Sequence, residues 1–135
     1  LFTEHGVSSL SGVPYTYELL EKIGFRSKHY KDLRYLTQAG GRLPPTLVSD
    51  FDEWARSSKK SFFVMYGQTE ATARMAYVPP HLLHANPDCI GIAIPGGRFS
   101  IIDTDGSEIS ATNVPGELVY EGANVMLGYA TSRSD

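Results

Sequence analysis

The segment V-M-Y-G-Q-T-E, at positions 64 to 70, places an aromatic ring, a glycine, a hydroxyl and a carboxylate directly after an apolar run. The ring of Tyr66 could stack on a base, and Gly67 would let a ligand approach the backbone closely. Thr69 offers a hydroxyl to a phosphate oxygen, and Glu70 offers a hard oxygen ligand that suits magnesium. These groups fit a nucleotide with its metal. They are equally compatible with a strand-to-helix turn in which Thr69 caps the helix.

Three short apolar segments that precede Glu70 are predicted to be strands. They lie within residues 6–13, 33–39 and 61–65, and Gly or Pro bounds the first two. The third is continuously apolar, which is typical of a strand covered by helices on both faces.

Helical spacing of apolar residues separates these strands. One helix is predicted to begin at Pro14 and to stop at Gly24, and the other to begin at Pro44 and Pro45. The apolar positions of the first are Tyr15, Leu19, Leu20 and Ile23, and those of the second are Leu47, Val48, Phe51, Trp54 and Ala55.

Alternating strands and helices predict an α/β fold, in which part of a doubly wound parallel sheet occupies residues 1–70. Ligands of such sheets bind beyond the carboxyl ends of the strands, where Gly40, Gly41 and Tyr66 are expected. Residues 71–135 are predicted to form a β-rich part of the same domain. Its strands are expected at 74–78, 99–103 and 117–121, with a hairpin turn at 103–107.

Composition excludes several classes of function. The 135 residues are 41% hydrophobic and 20% charged, and no apolar run approaches the ~20 residues of a membrane span. A net charge of -3 with scattered Lys and Arg argues against nucleic acid as a partner. Cys89 is the single cysteine, so no internal disulfide is possible, and we expect a buried residue without a chemical role. Without a secretory leader the expected location is cytoplasmic.

Two other clusters could bind metals but have simpler explanations. The run D-T-D-G-S-E at 103–108 begins like a calcium loop and lacks its final glutamate, so a polar hairpin turn is expected. His81 and His84 have helical spacing, but no third zinc ligand has a suitable spacing.

Four ordered motifs resemble the adenylate-forming (AMP-binding) superfamily of acyl-CoA synthetases, luciferases and adenylation domains. Y-G-Q-T-E at 66–70 is similar to its Y-G-x-T-E signature. The other three are L-R-Y-L-T-Q-A-G-G-R-L-P at 33–44, I-G-I-A-I-P-G-G-R-F-S-I-I-D at 90–103, and G-E-L-V-Y-E-G-A-N-V-M-L-G-Y at 116–129. The resemblance covers nearly the whole chain.

The resemblance implies roles for individual residues in binding ATP or AMP. Tyr66, beside Gly67, would stack on adenine, Thr69 would bind the α-phosphate, and Glu70 would hold Mg²⁺. The backbone of Gly40, Gly41 and Arg42 would run along the adenine and the acyl carboxylate. Gln68 would lie at the nucleotide and the acyl pocket, whose other residues would be Gly41, Ala71 and the helix from Pro14.

The implied reaction activates a small carboxylic acid with ATP, releases pyrophosphate, and transfers the acyl group to a thiol. Coenzyme A is the expected acceptor. The alternatives are a carrier-protein phosphopantetheine, as in amino- or hydroxy-acid adenylation domains, and a non-catalytic nucleotide-binding module. The family's phosphate-gripping loop and its C-terminal lysine domain fall outside this sequence, which starts at Leu1, so we expect a central fragment that is inactive alone.

Overall fold

Five strands form the main sheet of the computed structural model, which describes residues 2, 4–130 and 132. They lie side by side in chain order. The first three are parallel to one another, and the last two are antiparallel to their neighbours. The α/β prediction is confirmed. The strands are β1 (Ser9–Gly12), β2 (Tyr35–Gln38), β3 (Ser61–Tyr66), β4 (Ala76–Val78) and β5 (Ile92–Ala93).

Two helices connect the parallel strands and begin at prolines, as expected. Helix α1 spans Pro14–Lys22 and helix α2 spans Pro45–Ser57. Gly24 has a φ of 65°, a left-handed conformation that glycine adopts without strain, and it ends α1 as predicted. A third, one-turn helix, α3, follows β4 at Pro80–Leu83. No helix among the described residues is long and apolar enough to cross a membrane.

The core lies on one face of the sheet. Leu36 pairs with Phe62 in register, and both are buried against the helices. The apolar face predicted for α2 is confirmed, since Val48, Phe51 and Ala55 are buried and Trp54 nearly so. All three helices contribute to the same cluster, so they cover the same face.

The apolar face predicted for α1 is confirmed at Leu20, which is buried, and was wrong at Leu19, which is exposed, and at two further positions. Tyr15 and Ile23 are 61% and 63% exposed, whereas Tyr17 is fully buried. The ring of Tyr17 packs edge-on against Phe51, and its hydroxyl donates a 2.7 Å hydrogen bond to the carbonyl of Thr37. This bond satisfies the buried polar atom, so the tyrosine can take the core position. Burial raises the pKa of the Tyr17 hydroxyl.

The other face of the main sheet carries a row of aromatic rings. Phe63 lies between Tyr35 and Tyr77, with ring centroids 6.3 and 6.5 Å apart. Within the described residues this face has no helix, and Tyr35 is exposed. The continuous apolar run of β3 thus reflects helices on one face and cross-strand aromatic contacts on the other.

A separate two-stranded antiparallel sheet forms the last part of the chain, as the prediction of a β-rich second half implied. It consists of β6 (Gly97–Ile102) and β7 (Glu117–Gly122). The predicted turn at 103–107 is confirmed, because the amide of Ser107 donates to Oδ1 of Asp103 and the amide of Asp103 donates to the carbonyl of Ser107. This sheet brings residues near 124 back to the end of β3.

Candidate active site

The carboxyl ends of β2 and β3 meet, because Gln38 lies opposite Val64 in the parallel register. Two glycine-containing loops therefore start side by side, at Gly40 and at Gly67. The amide of Gln38, which is almost fully buried, donates a 2.7 Å bond to the carbonyl of Gly41. Gly40 has a φ of 80°, which a residue with a side chain rarely adopts. The carboxyl ends of these strands thus present main chain without side-chain bulk at Gly40 and Gly41.

A first cavity, of about 420 Å³, opens between the β2 loop, the end of β3 and the loop after α3. Tyr66 provides an aromatic wall, and Gly40 and Gly41 provide backbone without bulk. The mouth is bridged by an ion pair between Arg42 and Asp88, both exposed. The lining residues are Gln38, Gly40, Gly41, Arg42, Leu43, Val64, Met65, Tyr66, Gly67, Pro87, Asp88, Cys89 and Ile90.

A second cavity, of about 530 Å³, lies on the other side of the same loops and reaches the start of α1. Its wall combines small apolar groups with hydroxyls, and Thr37 Oγ1 donates to Ser11 Oγ at 2.9 Å. Gly40, Met65 and Gly67 line both cavities, so these residues form the partition between them. The lining residues are Ser11, Gly12, Val13, Thr16, Thr37, Ala39, Gly40, Met65, Gly67, Gln68, Thr69, Ala73 and Arg74.

The loop after β3 folds back on itself tightly. A single 3₁₀ turn at Thr69–Ala71 is followed by two residues with left-handed backbone, Thr72 and Ala73. The amide of Ala73 then donates to the carbonyl of Gln68 at 2.9 Å. A Cβ on Gly67 would lie 2.3 Å from the carbonyl oxygen of Ala73, so only glycine permits this return. The loop places Thr69 at the second cavity.

Asn124, which follows β7, holds this strained loop in place. Its Nδ2 donates to the carbonyls of Ala71 and Arg74 at 2.6 and 3.0 Å, and its Oδ1 accepts from the hydroxyl of Tyr120 at 3.0 Å. The hydroxyl of Thr72 donates to the carbonyl of Asn124 at 2.8 Å. The second sheet therefore fixes the loop that carries the predicted site residues.

The carboxylate of Glu70 also contacts this segment. The hydroxyl of Tyr129 donates to Oε1 of Glu70, and the amide of Met126 donates to the carbonyl of Glu70 at 2.7 Å. The hydrogen bond from Tyr129, with one from the backbone of Glu70, lowers the pKa of the Glu70 carboxyl. The same contact raises the pKa of the Tyr129 hydroxyl. The Glu70 side chain is thus half-buried and ionised at neutral pH, and its carboxylate oxygens can bind a cation.

The residues predicted for the site are brought together around the partition. Tyr66, Gly41 and Arg42 line the first cavity, Gln68 and Thr69 the second, and Gly40 and Gly67 both. Thr69 is not the N-cap of the turn that follows β3, because Gln68 occupies the N-cap position. The hydroxyl of Thr69 makes no hydrogen bond within the described part of the chain. Ala71 is buried and lines neither cavity.

Several residues at the site carry no sequence signal of their own. Cys89 was expected to be buried, but it is exposed and lines the first cavity, because it lies in the loop after α3 rather than in an element. The second sheet brings Asn124 and Tyr129, which follow β7, to the site. The tight loop after β3 brings Arg74 there. His84 contacts Arg56 at 3.0 Å instead of pairing with His81.

Comparison with known proteins identifies the family. The family described as AMP-binding enzyme matches residues 1–130. The chain belongs to this family. It is 29% identical over 124 residues to the long-chain-fatty-acid–CoA ligase of Escherichia coli O157:H7, and 29% identical over 125 residues to the 2-succinylbenzoate–CoA ligase of Staphylococcus aureus strain bovine RF122 / ET3-1. These matches cover 92% and 91% of this chain.

The chain spans about a fifth of the length of these curated relatives, 20% and 23% respectively. The fold agrees with the complex structure of VinN with L-aspartate, with a TM-score of 0.76 at 30% identity. That superposition covers 98% of this chain and 32% of the VinN chain.

Proposed function

We propose that the complete polypeptide carrying this chain is an AMP-forming carboxylic acid ligase. The observation that supports it is the pair of cavities that share Gly67, with Thr69 lining the second cavity and Glu70 following Thr69 in the chain. One cavity has an aromatic wall and a backbone floor suited to a base, and the other has a mixed wall suited to an acid. A substrate carboxylate and a nucleotide phosphate held at the partition would be adjacent.

In the proposed reaction the substrate carboxylate attacks the α-phosphorus of ATP and expels pyrophosphate, leaving an acyl adenylate. A thiol then attacks the acyl carbon and releases AMP. No side chain has to act as a nucleophile, because alignment and charge stabilisation supply most of the rate enhancement in phosphoryl-type transfer. Thr69 would donate to the α-phosphate, consistent with its unpartnered hydroxyl, and Tyr66 would stack on adenine.

Magnesium fits the residues present. Mg²⁺ in nucleotide sites is held by one or two carboxylates together with substrate phosphates, and Glu70 offers one ionised, half-buried carboxylate next to Thr69 in the chain. Bound there, the ion would neutralise phosphate charge. Within the described residues no cluster of three acidic, histidine or cysteine side chains could hold a metal without the nucleotide.

The thiol acceptor is proposed to be coenzyme A, because both curated relatives above are named as CoA ligases. A carrier-protein phosphopantetheine, or a module without catalysis, finds no support there. A cytoplasmic location belongs to the same proposal. The two curated relatives are named for a long-chain fatty acid and 2-succinylbenzoate, and the VinN structure is a complex with L-aspartate, so these similarities point to three different acids.

The test is acid-dependent exchange of labelled pyrophosphate into ATP by the polypeptide from the complete reading frame. We expect exchange that requires Mg²⁺ and that falls at least ~100-fold in Glu70→Gln, because removal of a charge-stabilising group in such sites costs this much. Glu18→Gln on the exposed side of α1 is the matched control and should retain full exchange. Wild-type exchange in Glu70→Gln would contradict the role of Glu70.

A further inference from the structure

The second cavity contains one charged residue among its described lining residues. Its wall is otherwise made of glycine, alanine, valine and methionine, of serine and threonine hydroxyls, and of the amide of Gln68. The exception is Arg74, whose guanidinium is positively charged at every pH at which proteins fold. A lone cation in a binding cavity favours a ligand with an anionic group.

Most other described arginines already have an acidic partner. Arg26, Arg56 and Arg98 lie 2.8 to 2.9 Å from the carboxylates of Glu21, Asp52 and Glu108, and Arg42 pairs with Asp88. No ion pair or side-chain hydrogen bond joins Arg74 or Arg34 to a described residue. Both arginines are exposed, but Arg34 immediately precedes β2 and lines neither cavity, whereas Arg74 lines the second. Among the described arginines, Arg74 is the one that combines an unpaired charge with a place in a cavity wall.

Two hydrogen bonds hold the peptide group that joins Arg74 to Met75. The amide of Met75 donates to the carbonyl of Tyr66 at 2.9 Å, and the carbonyl of Arg74 accepts from Asn124. The tight return over Gly67 therefore brings a cation to the acid cavity instead of leaving it on a free loop. The strained loop after β3, which Asn124 holds through hydrogen bonds, is thus what places Arg74 in the wall of the second cavity.

We propose that Arg74 binds a second anionic group of the acid, so the substrate class is dicarboxylic or otherwise doubly anionic acids. This inference rests on the proposed function, in which the first carboxylate reacts beside Thr69. The second carboxylate would pair with the Arg74 guanidinium, a geometry that permits two parallel hydrogen bonds. The Ser11 and Thr37 hydroxyls leave the wall too polar to favour a long alkyl chain.

The first experiment compares acids of equal length with the full-length polypeptide. Pyrophosphate exchange is measured with glutarate, pentanoate and 5-aminopentanoate, and with succinate against butyrate. We expect kcat/KM for each dicarboxylic acid to exceed that of its monocarboxylic partner by about 10- to 100-fold, the usual range for a hydrogen-bonded charged group. Equal or reversed preference would overturn the inference. Exchange with a long-chain or aromatic monocarboxylic acid but with none of these acids would overturn the inference alone, whereas exchange with no acid of any class would refute the proposed function as well.

The second experiment changes the cation. Arg74→Gln should lower kcat/KM for glutarate about 10- to 100-fold more than kcat/KM for pentanoate, and Arg74→Glu should favour 5-aminopentanoate over glutarate. Arg34→Gln is the matched control and should behave as wild type. A loss in Arg74→Gln that is equal for all acids would show a role in the fold or at the phosphate and would overturn the inference. Thermal unfolding of each variant establishes that it is folded.

Discussion

Glu70 and Tyr129 illustrate how the site is built at the scale of single residues. They are 59 positions apart in the chain, and their side chains meet through a hydrogen bond in which the tyrosine donates. A donor to a carboxylate stabilises its ionised form. The proposed metal ligand is therefore kept charged by a residue outside its own loop.

Removing that donor should change the pH dependence of the site. In Tyr129→Phe the pKa of Glu70 is expected to rise towards its ordinary value, since the first cause of its depression is lost. As the pH is lowered, the carboxylate would then be protonated at a higher pH than in the wild type. The acidic limb of the pH–activity profile should therefore shift to higher pH. Titration of the Glu70 carboxyl carbon by NMR measures the pKa directly. An unchanged titration curve would show that the hydrogen bond is absent in solution.

Residues near the ends of strands could be proposed as site residues from the sequence. Residues that contacts distant in sequence bring to the site could not. Tyr66, Thr69 and Glu70 follow a recognisable apolar run, so their type and position both carry information. Arg74 is one of several scattered arginines, and only the return of the loop over Gly67 distinguishes it. Cys89 was misassigned because a small thiol in a loop has no pattern that reveals exposure.

The loop after β3 is the element on which the site depends. Thr72 and Ala73 have φ values of 55° and 62°, which cost free energy for residues with a side chain. Contacts from the segment after β7 offset that cost. Helix α1 shows the opposite case, because its spacing predicted a helix correctly and its buried face only in part. Pairing of Tyr17 with Phe51 decides the face, and that contact is tertiary.

Asn124→Ala tests the support of this loop. The change leaves the carbonyls of Ala71 and Arg74 without their partner, which should lower the free energy of unfolding by about 1–3 kcal/mol. The amides of Ala73 and Met75 should also exchange with deuterium faster. Urea denaturation and hydrogen exchange measure the two effects.

Tyr120→Phe is the matched control for this change, because it removes one hydrogen bond to Asn124 and leaves the amide in place. We expect it to cost less, about 0.5–1.5 kcal/mol. An equal loss in both variants would mean that the Asn124 amide contributes nothing to the loop.

The whole molecule has a sheet with two unlike faces. One packs against three helices, and the other carries Tyr35, Phe63 and Tyr77 across adjacent strands. The apolar sequence of β3 indicated burial but not what covers each face. Strand order and the split between parallel and antiparallel pairing likewise depend on contacts distant in sequence.

Phe63→Ala should destabilise the main sheet. It removes both cross-strand aromatic pairs, each worth about 0.2–1 kcal/mol, together with the burial of a half-exposed ring. We expect a loss of roughly 1–3 kcal/mol in the free energy of unfolding. Ser61→Ala changes the same face of the same strand and should have little effect. Similar stabilities of the two variants would contradict a structural role for the aromatic row.

The partition between the two cavities constrains how such a protein can evolve. Met65 lines both, so a larger or smaller residue there alters the volume proposed for the base and the volume proposed for the acid at once. Val13, Thr16 and Ala73 line only the second cavity. Under the proposed function, substitutions at these three positions change acid preference and leave nucleotide affinity unchanged. A substitution of Met65 changes the binding of both ligands, so evolution cannot optimise that position for one ligand alone.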